Sequence, residues 1–316
     1  MVRKRKPGST TADKSVAEVR PEGEMTLGDS MRAGFQEVSE ILETGSTGFS
    51  GIAGLDELLV NATGPGRLTL IAARPGEGKS AVATTSAVHV AAAGRHVQVF
   101  LTENRAELFG LAAAALPGHL RLTAQDWAAT IERAKKLRSL DIRINDRHRT
   151  LEAIETVVRG RVDNQAPSAQ CPTVFVDSVH GVTSRERLPT ETRADELATI
   201  TRRFSLLAVE KRLHVVLTAH LTSPDARARE RTREAWPSLG DIHDCRALGM
   251  IADTVIMSRL ERIDAEQLVE RAAKPQPLEI VVVKNRGGLR GRTFAWLENG
   301  LLAPMSEDDR DELLLS

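Results

Sequence analysis

Lys79 and Ser80 stand at the start of a predicted helix, directly after a glycine-rich turn, and this order suits a nucleoside triphosphate. The apolar segment 67–73 predicts a strand before the turn. The turn's N–H groups and the helix dipole would hold phosphates, Lys79 would reach the β- and γ-phosphates, and the Ser80 hydroxyl would coordinate Mg²⁺. The predicted phosphate cradle consists of Arg74, Pro75, Gly76, Glu77, Gly78, Lys79, Ser80 and Ala81.

One position departs from the common form of this motif, which is G-x-x-x-x-G-K-S/T. Ala73 stands where the first glycine belongs. The alternative interpretation is a glycine-rich surface turn without a ligand. The strand before the turn and the helix after it, from Lys79 to about residue 93, favour the phosphate site.

Three further polar residues follow predicted strands, and function collects at the carboxyl ends of strands in parallel α/β sheets. Asp177 ends the apolar run 173–177 and suits Mg²⁺ coordination. Glu103 follows the strand at 96–102 and could deprotonate an attacking water. His220 follows the strand at 213–218 and could hydrogen-bond the γ-phosphate. Each has a plainer alternative: a helix cap, a solvated loop carboxylate or a structural histidine.

Two cations, Lys284 and Arg286, lie at the end of a predicted strand at 279–284 and precede Gly287 and Gly288. Cations two positions apart on a strand point the same way. They could meet a phosphate of their own site or of a neighbour's site, where an arginine would stabilise charge on the γ-phosphoryl oxygens. The alternative is a basic hairpin tip in solvent.

Other basic residues fall in predicted loops that could follow a nucleic-acid backbone through phosphate contacts. Four arginines alternate with other residues at 227–233, and a polar, glycine-containing stretch spans 237–252. Charged loops are usually only solvated, so this interpretation depends on the resemblance below. The candidate contacts are Arg185, Arg187, His243, Asp244 and Arg246.

Composition limits the class of protein. Of 316 residues, 43 are Lys or Arg and 43 are Asp or Glu, so any nucleic-acid contact must come from local patches. Only two cysteines occur, which argues against a disulfide framework and fits a reducing compartment. Aromatics make up 3%, which disfavours stacking of bases on aromatic side chains. No apolar run reaches membrane-spanning length, and we expect a cytoplasmic protein.

Helices and strands alternate along most of the chain, which indicates an α/β fold: a mainly parallel, twisted sheet with helices on both faces. Residues 1–24 are polar and basic, and we expect a disordered tail. Residues 25–44 carry Leu27, Met31, Phe35, Val38 and Leu42 on one helical face. Residues 45–305 form the main domain, and 306–316 a C-terminal tail.

The order of these elements resembles the C-terminal motor domain of DnaB-type replicative helicases, a hexameric RecA-like family. The resemblance runs from about residue 25 to 302. It includes Ser46-Thr47-Gly48-Phe49 with Gly54-Leu55-Asp56-Glu57-Leu58, Ala72-Ala73-Arg74-Pro75 entering the turn, Val176-Asp177, and Lys284-Asn285-Arg286 with Gly288 and Gly291. It does not include the family's N-terminal collar domain.

The resemblance implies roles for the candidate residues. Glu103 would be the catalytic base, and His220 would replace the glutamine usual at the γ-phosphate sensor. Lys284 and Arg286 would complete a neighbour's ATP site in a ring, and the helix at 25–44 would dock on the adjacent subunit. The DNA loop departs from the family pattern, with His243 in place of Arg and Arg246 in place of Gly.

The function that this implies is an Mg²⁺-ATP-dependent helicase or translocase on single-stranded DNA, with a primase or helicase loader as a possible partner. Two alternatives stay open. One is a regulatory or recombination ATPase of the RadA or KaiC kind, and the other is an accessory paralogue that does not unwind DNA alone. The spacing of Lys284, Arg286, Gly288 and Gly291 favours the DnaB type.

Overall fold

The strands of this protein pair into a nine-stranded sheet within the part of the chain that the computed structural model describes. Those residues are 27, 28, 30–32, 35, 48–60, 62–115, 123–164, 171–222, 236–260 and 275–315. The strands are β1 (Arg67–Ala73), β2 (Val97–Leu101), β3 (Ile142–Asn145), β4 (Thr173–Asp177), β5 (His214–His220), β6 (Thr254–Leu260), β7 (Gln276–Asn285), β8 (Gly291–Glu298) and β9 (Leu301–Ala303).

Eight α-helices accompany them within the described part of residues 48–315. They are α1 (Ala53–Leu58), α2 (Lys79–Ala92), α3 (Ala106–Ala113), α4 (Ala124–Leu137), α5 (Leu151–Asp163), α6 (Arg193–Glu210), α7 (Ala247–Ile251) and α8 (Glu307–Leu315). Helices α4 and α6 begin at complete capping boxes, Thr123 with Asp126 and Thr192 with Asp195, which satisfy N–H groups that a helix start leaves unpaired. None of the helices in these ranges is long and apolar enough to cross a membrane.

The sheet order is β3-β2-β4-β5-β1-β6-β7-β8-β9. Strands β1 to β6 pair in parallel, and β6 to β9 extend the sheet with antiparallel pairs. Helices cross over between the parallel strands, whereas short turns suffice for antiparallel neighbours. The predicted α/β class with a mainly parallel sheet is confirmed.

Both faces of the sheet are covered, as the apolar strands require. On one face Ile154 of α5 and Phe204 of α6 pack with Leu70 and Val215 of the sheet. On the other face Val82 of α2 and Phe109 of α3 pack with Ile71 and Val216, and Phe49 stacks on Phe175. Strand β1, which leads into the glycine-rich turn, therefore lies in the middle of the core.

The elements that were not predicted from the sequence include β3 and α8. β3 was not predicted, because it is an edge strand with the polar sequence Ile-Arg-Ile-Asn. Residues 306–316, expected as a tail, contain α8. That helix receives a hydrogen bond from Arg292 Nη2 of β8 to the carbonyl oxygen of Leu314, 2.5 Å.

The chain divides into two compact units, Met1–Ser46 and Thr47–Ser316. The expected tail at 1–24 lies outside the described residues. Within the expected helix at 25–44, residues 27, 28, 30–32 and 35 are described and are helical. Leu27, Met31 and Phe35 are exposed.

Candidate active site

Four neighbouring parallel strands, β2, β4, β5 and β1, end at the same edge of the sheet. Glu103 follows β2, Asp177 ends β4, His220 ends β5, and the glycine-rich turn follows β1. Glu103, Asp177 and His220 lie far apart in the sequence, but the fold brings them together beside the start of α2. This is the edge at which ligands bind in open α/β sheets.

Lys79 and Ser80 both contact Asp177. Lys79 Nζ lies 3.1 Å from Asp177 Oδ1, and the Ser80 hydroxyl donates to Asp177 Oδ2 over 3.1 Å. Thr218 donates to Asp177 Oδ1 at 2.5 Å and lies 3.4 Å from Lys79 Nζ. Lys79 is only 8% exposed, so its buried positive charge requires the negative charge of Asp177 beside it. A hydroxyl and a carboxylate oxygen side by side are oxygen donors of the kind that Mg²⁺ prefers, and the residues therefore fit that ion.

The turn before α2 contains two glycines with positive φ angles. Gly76 and Gly78 have φ of 80° and 82°, values that side-chain-bearing residues rarely adopt. A Cβ at Gly76 would meet nothing within 4 Å, whereas one at Gly78 would lie 2.7 Å from Leu278 of β7. The Ser258 hydroxyl holds the Glu77 carbonyl at 2.7 Å, and Arg74 lies 3.8 Å from Glu77. Gly76 is required for conformation alone, and Gly78 also for packing.

Glu103 is held by two side chains beside this network. Its Oε2 lies 2.9 Å from His220 Nε2, and its Oε1 accepts from the Ser178 hydroxyl at 2.6 Å. The hydrogen bond from His220 is the largest cause that lowers the pKa of Glu103 to about 2. Burial opposes it, and Ser178 and the charge of Lys79 add to it. The carboxylate is therefore ionised at every physiological pH.

The sequence interpretation missed several residues that position this edge. The Thr102 hydroxyl donates to the Ser178 carbonyl at 2.6 Å and accepts from the Ser178 amide at 2.9 Å. A Cβ at Gly181 would lie 2.4 Å from that hydroxyl, so the close approach needs glycine. Each of these hydroxyl residues lies within two positions of a predicted site residue: Thr102 before Glu103, Ser178 after Asp177, and Thr218 before His220. This closeness in sequence was the signal that could have identified them.

Lys284 and Arg286 lie where the parallel strands begin, at the opposite end of these strands from Asp177 and His220. β7 runs antiparallel to β6, so Leu278 is near Gly78 while Asn285 pairs with Thr254 at the start of β6. Six residues of strand place Lys284 about 20 Å from Leu278. The possibility that these cations serve their own subunit's phosphates, left open by the sequence, does not fit this register.

The two cations instead hold the end of α7. Lys284 Nζ donates to the carbonyls of Gly249, Met250 and Ala252 at 3.0, 2.8 and 2.6 Å. Arg286 contacts Asp253 Oδ1 at 3.1 Å and the Met250 carbonyl at 3.2 Å, and its side chain is 54% exposed. The carbonyls at a helix end lack intrahelical partners, and cations satisfy them. Burial and then the charge of Arg286 lower the pKa of Lys284.

The candidate nucleic-acid contacts fall in two places. His243, Asp244 and Arg246 follow a short 3₁₀ turn, Leu239–Asp241, and the His243 amide donates to the His220 carbonyl at 2.9 Å. This loop therefore joins the edge of the sheet that carries Glu103 and His220. Arg185 and Arg187 are both exposed, and Arg187 also pairs with the buried Glu196 at 3.1 Å. The arginines at 227–233 lie outside the described residues.

A glycine-rich turn after the central strand, a buried lysine on a strand-end aspartate, and a carboxylate beside them define a P-loop nucleotide-binding domain of the RecA-like class. A family model described as the DnaB-like helicase C terminal domain matches residues 47–299. That match covers most of the chain, and the chain belongs to this family.

Individual relatives agree with the family. Replicative DNA helicase DnaB from Leifsonia xyli subsp. xyli (strain CTCB07) is 26% identical over 251 residues, which are 76% of this chain and 51% of that protein. The chain thus spans about half the length of the curated relative it matches.

Two solved structures share the fold at 18% identity, and both alignments cover 87% of this chain. One, described as a DnaB-like replicative helicase and its interactions with primase, has a TM-score of 0.69 and is covered over 66%. The other, described as an ATPase domain, has a TM-score of 0.68 and is covered over 99%.

Proposed function

We propose that this chain is the motor of an Mg²⁺-ATP-dependent helicase or translocase that moves along single-stranded DNA. The observation that carries the proposal is the contact of Lys79, Ser80 and Glu103 with the residues at the end of β4, in a chain of the DnaB-like family. Membership of the family supports a helicase function, and the contacts of these residues support a site for ATP and Mg²⁺.

ATP would bind with its phosphates on residues 74–81. The unpaired N–H groups at the start of α2 would face the phosphates, and Lys79 would exchange part of its contact with Asp177 for phosphate oxygens. Ser80 and Asp177 would hold Mg²⁺, which would neutralise charge on the phosphate oxygens.

Glu103 would orient the attacking water and accept its proton. In this structure its basicity is suppressed by His220, because a carboxylate with a pKa of about 2 accepts a proton poorly. Hydrolysis would therefore require His220 to exchange its bond with Glu103 for one to the γ-phosphate. This exchange would make His220 report the presence of ATP.

The catalytic site would be completed by a second copy of the chain. The register of β7 holds Lys284 and Arg286 at the edge away from their own P-loop, and Arg286 is half exposed there. A cation so placed can reach a phosphate only across a subunit interface. We therefore infer a homo-oligomeric ring, with the exposed Leu27, Met31 and Phe35 of the helix at 25–44 seated on a neighbour.

DNA would bind in the ring through phosphate contacts from Arg185 and from the loop with His243, Asp244 and Arg246. The net charge is zero, so such patches must supply the attraction. Arg187 would contribute only by leaving Glu196. One of the similar solved structures is described with its interactions with primase. We therefore propose a primase or a helicase loader as a partner of this chain.

The function is tested by strand displacement on a forked DNA, with ATP hydrolysis measured with and without oligo-dT. We expect DNA-stimulated hydrolysis and unwinding, both lost in Lys79→Ala, whose folding is checked by circular dichroism. DNA-stimulated hydrolysis without unwinding by the protein alone, but with a changed rate of unwinding by a partner helicase, would favour the accessory paralogue. Hydrolysis indifferent to DNA would favour the regulatory ATPase.

A second expectation concerns Arg246. If its guanidinium contacts a DNA phosphate, Arg246→Ala should weaken binding to all sequences alike and reduce the slope of log K against log salt by about 1. Fluorescence anisotropy of labelled oligo-dT at several salt concentrations measures both quantities. Arg259→Ala provides a control, because Arg259 is occupied by Glu279 at 2.7 Å and by the Trp236 ring. An unchanged affinity and slope in Arg246→Ala would remove that residue from the DNA path.

A further inference from the structure

Three histidines from three different elements lie in a row beside Glu103. His220 ends β5, His180 lies in the 3₁₀ turn Val179–Gly181 after β4, and His243 lies in the candidate DNA loop. The ring centroid of His180 lies 5.3 Å from that of His220 and 5.9 Å from that of His243. We refer to His220, His180 and His243 as the histidine row. It joins the catalytic carboxylate to the loop.

Both nitrogens of the central ring have backbone partners. His180 Nε2 lies 3.0 Å from the His243 carbonyl, which can only accept, so this nitrogen carries the proton. His180 Nδ1 is then the acceptor, 3.4 Å from the His220 amide. The His180 carbonyl in turn accepts from Arg193 at 2.6 Å. The central ring thus connects the backbones on either side of it.

Charged groups surround the row unevenly. Glu103 faces His220, and Asp244 lies 3.3 Å from His243 Nε2. Arg193 holds the backbone of His180, and Lys79 acts on Glu103. Burial lowers the pKa of His180, and positive charge on His220 or His243 would lower it further. A proton on His180 Nδ1 would also oppose the His220 amide. The central ring is therefore neutral near pH 7.

The row is not arranged to hold a metal. In the described ranges, no three His, Cys, Asp or Glu side chains converge on one point as a metal site requires. The ring of His220 is held on one side by Glu103, and its buried Nδ1 has no hydrogen-bond partner among the described residues. Among the described residues, no hydrogen bond to Nδ1 therefore opposes a rotation of that ring.

We propose that His180 is a positioning residue that couples the loop around His243 to the catalytic Glu103 through His220. DNA contact at the loop would shift the His243 carbonyl, the His180 ring would follow it, and the His220 amide and ring would move away from Glu103. The inference rests on the proposed function, because it takes Glu103 as the base and the loop as part of the DNA path.

Release of Glu103 would raise its basicity at the moment when DNA is engaged. The hydrogen bond from His220 is the main cause that holds the pKa of Glu103 at about 2, and its loss moves this pKa toward the ordinary value. A stronger base takes the proton of the attacking water more readily. The row thereby provides a route by which DNA would stimulate hydrolysis.

The test compares His180→Phe, which keeps an aromatic ring but removes both nitrogens, with His180→Gln, whose amide offers an NH₂ donor and a carbonyl acceptor. ATP hydrolysis is measured with and without oligo-dT from about pH 5.5 to 8, the range in which histidines titrate. We expect His180→Phe to reduce the stimulation ratio about fivefold or more, the scale of typical coupling between sites. His180→Gln should retain most of it.

The pH profile separates coupling from a merely structural role. In the wild type the stimulation ratio should fall as pH drops, because protonated His180 no longer accepts from the His220 amide. In His180→Phe the smaller ratio should vary less with pH, because the ring that accepts from the His220 amide is gone. His96→Phe is the control, since His96 pairs with Asp141 before β2, at the opposite edge of the sheet. An undiminished ratio with an unaltered profile in His180→Phe would overturn the inference.

A measurement without ligand keeps this result distinct from failure of the proposed function. The chain has eight histidines, so NMR of histidine-labelled protein can follow the ring signals of His220 in each variant. The His220 ring signals should shift in His180→Phe, because the two rings are in contact, and stay near their wild-type positions in His96→Phe. Unchanged His220 signals in His180→Phe contradict the coupling even if the wild type proves indifferent to DNA, the result that alone would remove the helicase proposal.

Discussion

Glu103→Gln protein is expected to bind ATP with near wild-type affinity and to hydrolyse it about 10²–10⁴-fold more slowly, the typical contribution of a general base. The substitution preserves the shape of the side chain and can still accept from Ser178, but it removes the charge that would take the proton. The measurement pairs equilibrium binding of a fluorescent ATP analogue with steady-state release of phosphate.

The matched control for this experiment is Glu107→Gln. Glu107 is an exposed glutamate in the first turn of α3, four residues further along the chain. Its variant should bind and hydrolyse ATP like the wild type. Near-normal turnover in purified Glu103→Gln would end the assignment of Glu103 as the base. Loss of binding together with turnover would instead indicate that Glu103 supports the shape of the site.

The pKa of Glu103 also sets an expectation about pH. Because the pKa in the free protein is about 2, Glu103 remains ionised throughout the range in which histidines titrate. Any loss of activity over that range must come from other groups, such as His180, whose pKa is lowered by burial. This is the reason that the pH profiles above report on His180.

The central strands could be predicted from the sequence because they are buried on both faces. The runs at 67–73, 97–101 and 173–177 are almost continuously apolar, and each is followed by a polar residue or a glycine turn. Parallel pairing brings such ends to one edge, so the predicted grouping of Lys79, Ser80 and Asp177 needed only the order of elements. The edge strand β3 lacks an apolar run and left no comparable signal.

Direction and register were harder to predict than the existence of strands. The segment 279–284 was predicted as a strand, but its antiparallel direction decides which edge Lys284 and Arg286 occupy. The histidine row is harder still, because its members come from three elements that are brought together only by folding. A lone histidine carries no pattern that distinguishes a packed ring from a solvated one.

Arg286→Ala is the second substitution from which we expect a very large loss. An arginine that acts across an interface contributes roughly 10³–10⁵ in rate, so the variant alone should be nearly inactive. Its own P-loop is intact, and its binding of ATP should be preserved. Arg290→Ala is the control, since Arg290 is exposed in the same hairpin. ATP binding and phosphate release measure the two effects.

Mixing the variant with Lys79→Ala distinguishes action across an interface from action within one chain. Lys79→Ala subunits lack a working P-loop but carry an intact Arg286, so some mixed interfaces combine a sound P-loop with a sound arginine. At equal amounts and random assembly these are about one quarter of the interfaces of a ring. Hydrolysis should therefore rise and then fall as the ratio of the two proteins is varied.

Lys284 and Arg286 already have partners within their own chain, so recovery of hydrolysis requires that these contacts be exchanged. Their present partners are the carbonyls of α7 and the carboxylate of Asp253, so an approaching phosphate must compete with those contacts. Exchange of subunits is verified by labelling before hydrolysis is measured. If exchange is complete and no ratio restores hydrolysis, Arg286 does not act on a neighbour's ATP. Its contacts with Asp253 and Met250 would then be its whole role.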